Sequence, residues 1–103
     1  MSATKVILNE TFAINHKYRV VLYIVKVPVS EKFPEGKKAR FVLLHVDGYP
    51  RLLVDNHEPF GFHMHTQLPD DHGVRLELLV IDHDEALNIF LREVERIIAN
   101  EDH

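Results

Sequence analysis

RFVLLHVDGYPRLLV, residues 40–54, contains the clearest secondary-structure pattern in the chain. Two apolar runs, residues 40–46 and 51–54, flank an Asp-Gly pair at positions 47 and 48 that is followed by a tyrosine and a proline. Asp-Gly pairs favour tight turns between antiparallel strands. The segment therefore predicts a β-hairpin, and the other elements can be placed around it.

Two further strands are predicted before this hairpin. Residues 6–12 begin with β-branched and apolar side chains, and the polar turn residues 15–17 separate them from YRVVLYIVKV, residues 18–27. The second run is apolar on both faces, which is typical of a central strand that is covered on both sides by a helix or by a second protomer. A homodimer is therefore one expected way to bury it. Residues 28–39 contain two prolines and five charges and predict a surface loop.

A fifth strand and a helix are predicted after the hairpin. Residues 74–81, VRLELLVI, alternate before they become wholly apolar. Asp82 is an N-cap candidate, and apolar side chains then recur at three- and four-residue spacing from Leu87 to Ile98, which predicts an amphipathic helix to about Asn100. The chain, residues 1–103, therefore predicts a single α+β domain: an antiparallel sheet of four to five strands with one C-terminal helix packed on one face.

Composition excludes several classes of protein. The chain has no cysteine, which excludes disulfides, thiolate zinc sites and a cysteine nucleophile, so any metal would need histidine and carboxylate ligands. The net charge of -4 argues against a basic nucleic-acid-binding face over the whole molecule. No apolar run approaches the roughly 18 residues that span a bilayer, and no secretion signal is visible. We therefore expect no membrane association and a cytoplasmic location.

The candidate functional site is DNHEPFGFHMH, residues 55–65, which directly follows the hairpin. It contains three histidines, whose ordinary pKa of about 6.5 suits proton transfer and metal binding near neutral pH. Pro59 and Gly61 predict that the segment leaves the sheet as a loop. If the last three residues are extended, His63 and His65 face one side and Met64 faces the other.

Three interpretations of this cluster remain open. The His-x-His pair, completed by Asp55 or His57, could bind a divalent metal such as zinc, manganese or iron. Alternatively, two of the histidines could act as base and acid in RNA cleavage, with the phosphate stabilised by one of the nearby basic residues Lys37, Lys38, Arg40 and Arg51. In the third interpretation the cluster is structural: Asp55 and Asn56 cap a turn and the histidines bond loop carbonyls.

The other histidines are assigned structural positions. They are His16, His45, His72, His83 and His103, of which His72 is the one that could join the site. Phe60 and Phe62 could stack on a nucleobase, but their position beside Gly61 favours anchoring of the segment to the sheet.

The spacing of the cluster resembles a known signature. The pattern of Asp-Asn-His, three residues, Gly, one residue, His, one residue, His is similar to the central signature of the TumE family of toxin components in toxin-antitoxin systems. The matching positions are Asp55, Asn56, His57, Gly61, His63 and His65. The resemblance implies a small toxin that lies beside a DNA-binding antitoxin and has a nuclease-type activity.

The sequence departs from that signature at two positions. Family members commonly carry Gly-Lys-Gly before the paired histidines and Arg between them, where this chain has Pro59-Phe60-Gly61 and Met64. Both an active toxin and a diverged, inactive member are compatible with these changes. The leading hypothesis is a TumE-like toxin component that acts on RNA or the translation machinery through Asp55 and the three histidines of the cluster. The alternative is a non-enzymatic, dimeric binding module whose histidines are structural or bind a metal.

Overall fold

The computed structural model describes residues 5–31, 33, 35–57, 61–66, 68, 70, 75–78 and 82–101. It contains six strands and one helix: β1 (Lys5–Ile14), β2 (Tyr18–Lys26), β3 (Lys37–His45), β4 (Pro50–His57), β5 (Gly61–His65), β6 (Leu76–Glu77) and α1 (His83–Glu101). The strands form one sheet in chain order, β1-β2-β3-β4-β5-β6, and every neighbouring pair is antiparallel. The predicted α+β class is confirmed.

The predicted count of four to five strands is wrong, because the sheet has six. The additional strand is β5, which lies in the segment expected to leave the sheet as a loop. Gly61 has a φ of 62°, a left-handed conformation that glycine adopts without strain, and it pairs with His57 of β4. The glycine therefore opens a new strand that returns along β4. Pro59, the other residue that predicted a loop, lies outside the described residues.

The predicted hairpin at residues 40–54 is confirmed as β3 and β4. Gly48 has a φ of 90°, and the His45 N–H donates to the carbonyl of Tyr49 at 3.1 Å. The carboxylate of Asp47 accepts a hydrogen bond from the Tyr49 N–H at 2.9 Å. The Asp-Gly pair thus closes the turn through both its side chain and its backbone.

The predicted strand over residues 74–81 is reduced to β6, and positions 74 and 79–81 lie outside the described residues.

The core lies between one face of the sheet and α1. The Phe41 and Phe90 rings meet at its centre, with centroids 5.7 Å apart. Asp82 caps the helix by accepting a hydrogen bond from the Asp84 N–H at 3.0 Å, as its sequence position predicts. The buried members of this cluster are Tyr18, Val20, Leu22, Ile24, Ala39, Phe41, Leu43, Leu52, Val54, Phe62, Met64, Ala86, Phe90 and Val94. Within the described ranges, no helix combines the length and the apolar composition needed to cross a membrane.

The second face of the sheet, called the open face below, is not covered by any described helix or strand. Alternation along the strands places on it the residues that do not point into the core. Its centre is a shallow apolar groove of about 450 Å³, lined by Val21, Tyr23, Arg40, Val42, Leu44, Pro50 and Leu53. The prediction that the helix covers one face is confirmed, whereas a second protomer on the other face stays a prediction.

Candidate metal and acid-base site

The register between β4 and β5 brings the paired carboxylate and imidazoles together. Asp55 lies directly opposite His63, and Leu53 lies directly opposite His65. Residues that are directly opposite in an antiparallel pair point to the same face of the sheet. Met64, between the two histidines, is buried in the core. Asp55, His63 and His65 therefore lie on the open face, and the prediction that the two histidines share one side is confirmed.

His63 is held between two oxygen atoms. Its Nε2 lies 2.7 Å from Asp55 Oδ1, and its Nδ1 lies 3.4 Å from the carbonyl oxygen of Gly61. The His63 side chain is 2% exposed, and the Asp55 side chain is 25% exposed. Among the described residues, Asp55 Oδ1 has no hydrogen bond of regular angle, so its close contact with His63 is electrostatic. Asp55 thus fixes the orientation of a buried imidazole.

His65 is the imidazole with unused bonding capacity. Its ring is half-buried and lies edge-on to the His63 ring, with centroids 5.1 Å apart and planes at 76°. Its Nδ1 is buried and has no hydrogen-bond partner in the described part of the chain. A buried polar atom without a partner costs free energy unless something else bonds it. His65 is therefore the side chain best placed to meet a ligand.

A row of polar residues crosses the open face through this site. The row runs in register across five strands, from β2 to β6. Tyr23 lies opposite Arg40, Arg40 opposite Asp55, Asp55 opposite His63, and His63 opposite Glu77. Directly opposite residues have Cβ atoms about 5 Å apart. Arg40 and Glu77 are both exposed, so the Asp55–His63 pair lies between an accessible cation next to Asp55 and an accessible carboxylate next to His63.

The four basic residues named from the sequence separate into two groups. Arg40 adjoins the site, and Lys38 is two residues earlier on the same exposed side of β3. Arg51 instead bonds the Asp47 carboxylate at the turn, and this hydrogen bond, with that from the Tyr49 N–H, holds the pKa of Asp47 below its ordinary value. Lys37 alternates to the other face, where it lines a cavity with Asp82 and His83. Of these four residues, Arg40 is the one whose strand position pairs with a member of the site, Asp55.

Asn56 has a structural role that differs from the predicted turn cap. Its Oδ1 accepts a hydrogen bond from the Ala39 N–H at 2.7 Å, and its Nδ2 donates to the Lys37 carbonyl at 2.9 Å. The backbone pairing of β3 with β4 extends to Arg40 and Asp55. The Asn56 carboxamide thus continues the pairing beyond this point in the way that a peptide group would. Asp55, likewise expected to cap a turn, pairs with His63 instead.

The remaining predicted positions are divided between the core, the turns and undescribed parts of the chain. His57 belongs to β4, but its side chain lies outside the described part, as do Glu58, Phe60, His72 and His103. Phe62 is buried in the core, which agrees with anchoring rather than base stacking. Three other histidines occupy structural positions: His16 in the β1–β2 turn, His45 against the Tyr18 ring and His83 beside the capping aspartate.

Glu77 is the residue near the site that the sequence did not single out. The alternation of Arg75 and Glu77 with apolar neighbours does place Glu77 on the polar side of a strand. Nothing in that alternation links it to His63, because the partner of a strand is set by tertiary pairing.

Three donor atoms, one each from Asp55, His63 and His65, lie within 4.8 Å of one another. The fold and this site together define a six-stranded α+β protein with a two-histidine, one-aspartate site on the sheet face that no described helix or strand covers. No protein-family model matches the chain, and no curated protein or solved structure matches it either. The TumE-like resemblance therefore stays a prediction that rests on the residues of the segment 55–65.

Proposed function

We propose that this protein is a TumE-like toxin component of a toxin-antitoxin system and that it cleaves RNA at the site formed by Asp55, His63 and His65. The observation that carries the proposal is the position of His65, a half-buried imidazole on the open face that lies close to Asp55 and His63. An accessible cation, Arg40, lies opposite Asp55 in the same region. A base and a cation on an accessible surface are the elements that phosphodiester cleavage requires.

Each side chain has a separate role in this proposal. His65 accepts the proton of the ribose 2′-hydroxyl as that oxygen attacks the phosphorus, and a protonated group returns a proton to the departing 5′-oxygen. His57, two residues after Asp55 on β4, is the candidate for that second group. His63 is too buried to touch RNA and acts as a positioning residue, held by Asp55. Arg40 and Lys38 contact the phosphate.

The missing family cations are compatible with this assignment. The first difference, at Phe60, lies outside the described residues. The second, at Met64, concerns a side chain that packs in the core, on the side of the sheet away from the histidines. An apolar residue at position 64 therefore does not reduce the positive charge of the open face, where Arg40 and Lys38 are both exposed.

The proposal is tested by expressing the wild type and three variants in the same host. Wild type should arrest growth, and His65→Ala and Arg40→Gln should relieve the arrest while retaining the wild-type circular dichroism spectrum. The matched control is His16→Asn, which removes an exposed histidine from the β1–β2 turn. Asparagine adopts the φ of 66° at that position readily, so the turn should be preserved. Purified wild type should also cleave RNA to products ending in 2′,3′-cyclic phosphate. Absence of arrest by wild type, or equal arrest by all four proteins, would contradict the proposal.

A second candidate function, a non-enzymatic binding module, is favoured by the apolar groove of the open face. Its five apolar strand residues, Val21, Tyr23, Val42, Leu44 and Leu53, are all half-buried, and no described element packs on them. Contiguous apolar patches on a sheet face are typical of protein interfaces. The occupant we propose for this groove is a second copy of the chain, and an antitoxin is the alternative occupant.

A further inference from the structure

We infer that Asp55, His63 and His65 form a binding site for a divalent transition-metal ion, for which zinc is the test ion. The inference concerns what the site holds and does not rest on RNA cleavage. It starts from the convergence of three donor atoms within 4.8 Å on two adjacent strands. Both histidines lie on one strand at alternate positions, and the opposite strand supplies the carboxylate.

The surroundings of His63 favour a cation at its Nε2. The Nδ1 faces the Gly61 carbonyl and Nε2 faces Asp55 Oδ1, so both ring nitrogens are directed at oxygen atoms. A neutral imidazole has one N–H, so it can donate in only one of these contacts, and both contacts become favourable when a proton or a metal ion occupies the second nitrogen. A metal-bound histidine typically donates its other ring N–H to a backbone carbonyl or carboxylate. The Gly61 carbonyl occupies that second position.

The distances accommodate an ion after a small side-chain adjustment. Ligand bonds of about 2.0–2.2 Å in a tetrahedral zinc site hold the donor atoms about 3.4 Å apart. The contact of 2.7 Å between His63 Nε2 and Asp55 Oδ1 would therefore open by about 0.7 Å. Asp55 is partly exposed, and among the described residues its Oδ1 has no hydrogen bond of regular angle to lose.

The donor set distinguishes between classes of ion. Two imidazole nitrogens and one carboxylate oxygen suit zinc, and also iron and manganese, whereas calcium and magnesium prefer ligand sets made of oxygen. Three protein ligands leave a coordination position for water, as in catalytic zinc sites. When bound, the ion would supply a water of lowered pKa, which could take over the proton-accepting role that we assign to His65 in the metal-free protein.

A second group of potential ligands provides an internal control. Asp82, His83 and Asp84 are consecutive at the start of α1, and both aspartates are exposed. The Asp82 carboxylate already caps the helix, and His83 faces both of its neighbours. This group has the same residue types but exposed carboxylates. Its variants therefore show how much metal binding comes from a His/Asp cluster at the surface.

The test is a titration of the chelator-treated, full-length chain with Zn²⁺ by calorimetry and with Co²⁺ by visible absorption. We expect one ion per chain, the intense visible bands of four- or five-coordinate Co²⁺, and an unfolding temperature that rises with Zn²⁺ concentration. Asp55→Asn and His65→Gln should each weaken binding by at least about 10-fold, because loss of a direct ligand should cost no less than loss of an outer-shell partner. His83→Gln should bind as wild type does.

Three results would overturn the inference: no binding by wild type, binding unchanged in His65→Gln, or binding lost in His83→Gln. Because His65 is half-buried, His65→Gln keeps the test decisive even if Asp55→Asn fails to fold. Binding is measured without RNA, and RNA cleavage is measured separately with and without chelator. Failure of the metal site and failure of the RNA proposal are therefore seen in different assays.

Discussion

His63 Nε2 lies 2.7 Å from Asp55 Oδ1 because the two residues are directly opposite each other where β5 pairs with β4. The pairing places an almost fully buried imidazole against a partly exposed carboxylate on the open face of the sheet. Buried polar atoms need bonding partners, and here the partners must also fit the packing between β4 and β5. The same contact accordingly bears on stability, on the proposed chemistry and on the inferred metal site.

Asp55→Asn should destabilise the metal-free protein by about 1–3 kcal/mol, because the buried imidazole of His63 loses the negative charge that lies beside its Nε2. The measurement is urea unfolding of the chelator-treated protein at pH 7. The matched control is Glu77→Gln, which changes the exposed carboxylate on the other side of His63 and should shift stability by less than about 0.5 kcal/mol. Equal losses in the two variants would show that Asp55 has no special role in holding His63.

Asn56→Ala should lower stability by about 1–3 kcal/mol, because the Ala39 N–H and the Lys37 carbonyl both lose their partner. Hydrogen exchange should show faster exchange at the Ala39 amide in particular. Asn88→Ala, on the exposed side of α1, is the control and should be neutral or slightly stabilising, since alanine favours helix. An unchanged exchange rate at Ala39 would contradict the bridging role of the carboxamide.

The turn between β3 and β4 should contribute a pH-dependent increment to stability. The Arg51 hydrogen bond lowers the pKa of Asp47 from its ordinary 3.8, so the folded state holds the ionised carboxylate more strongly than the unfolded chain does. For a lowered pKa, the stabilisation is present above the unfolded value and is lost as pH falls through the folded value. Wild type should therefore be more stable than Asp47→Asn at pH 6, and the difference should shrink below about pH 4.

The control for this prediction is Glu93→Gln, which breaks the exposed pair with Arg96 on α1 and leaves the turn intact. Its effect should not remove the pH dependence assigned to Asp47. The comparison is made by urea unfolding at several pH values between 3 and 6. A difference between wild type and Asp47→Asn that stays constant over this range would contradict the assignment.

The apolar groove of the open face predicts a dimer in solution. Wild type should sediment as a dimer at micromolar concentration, and Val42→Lys should sediment as a monomer, because a charge at the groove centre opposes burial. Val46→Lys is the matched control, since Val46 is 73% exposed beside the turn and lies outside the groove. A monomeric wild type would contradict self-association. A dimer that is unaffected by Val42→Lys would assign the interface to another surface.

The turn between β3 and β4 and the helix α1 were predictable from the sequence, because short-range residue preferences determine both. The Asp-Gly turn at positions 47 and 48 and the apolar spacing of α1 each reflect a short-range preference, and both are confirmed. The strand β5 was not predicted, because a glycine has the same local preference whether it ends a sheet or opens the next strand. Gly61 does the latter, and only the pairing of Gly61–His65 with β4 distinguishes the two cases.

The sequence by itself determined the residue types that are available for chemistry and the side on which they fall. Alternation put His63 and His65 on one face, and the absence of cysteine limited any metal to nitrogen and oxygen ligands. The tertiary structure decided which partners those residues have. It set Asp55 beside His63 and Arg40 beside Asp55, placed Lys37 on the other face, paired Arg51 with Asp47, and gave Asn56 a structural role. The physical reason is that side-chain direction along a strand follows from backbone geometry, whereas neighbours across a sheet depend on long-range register.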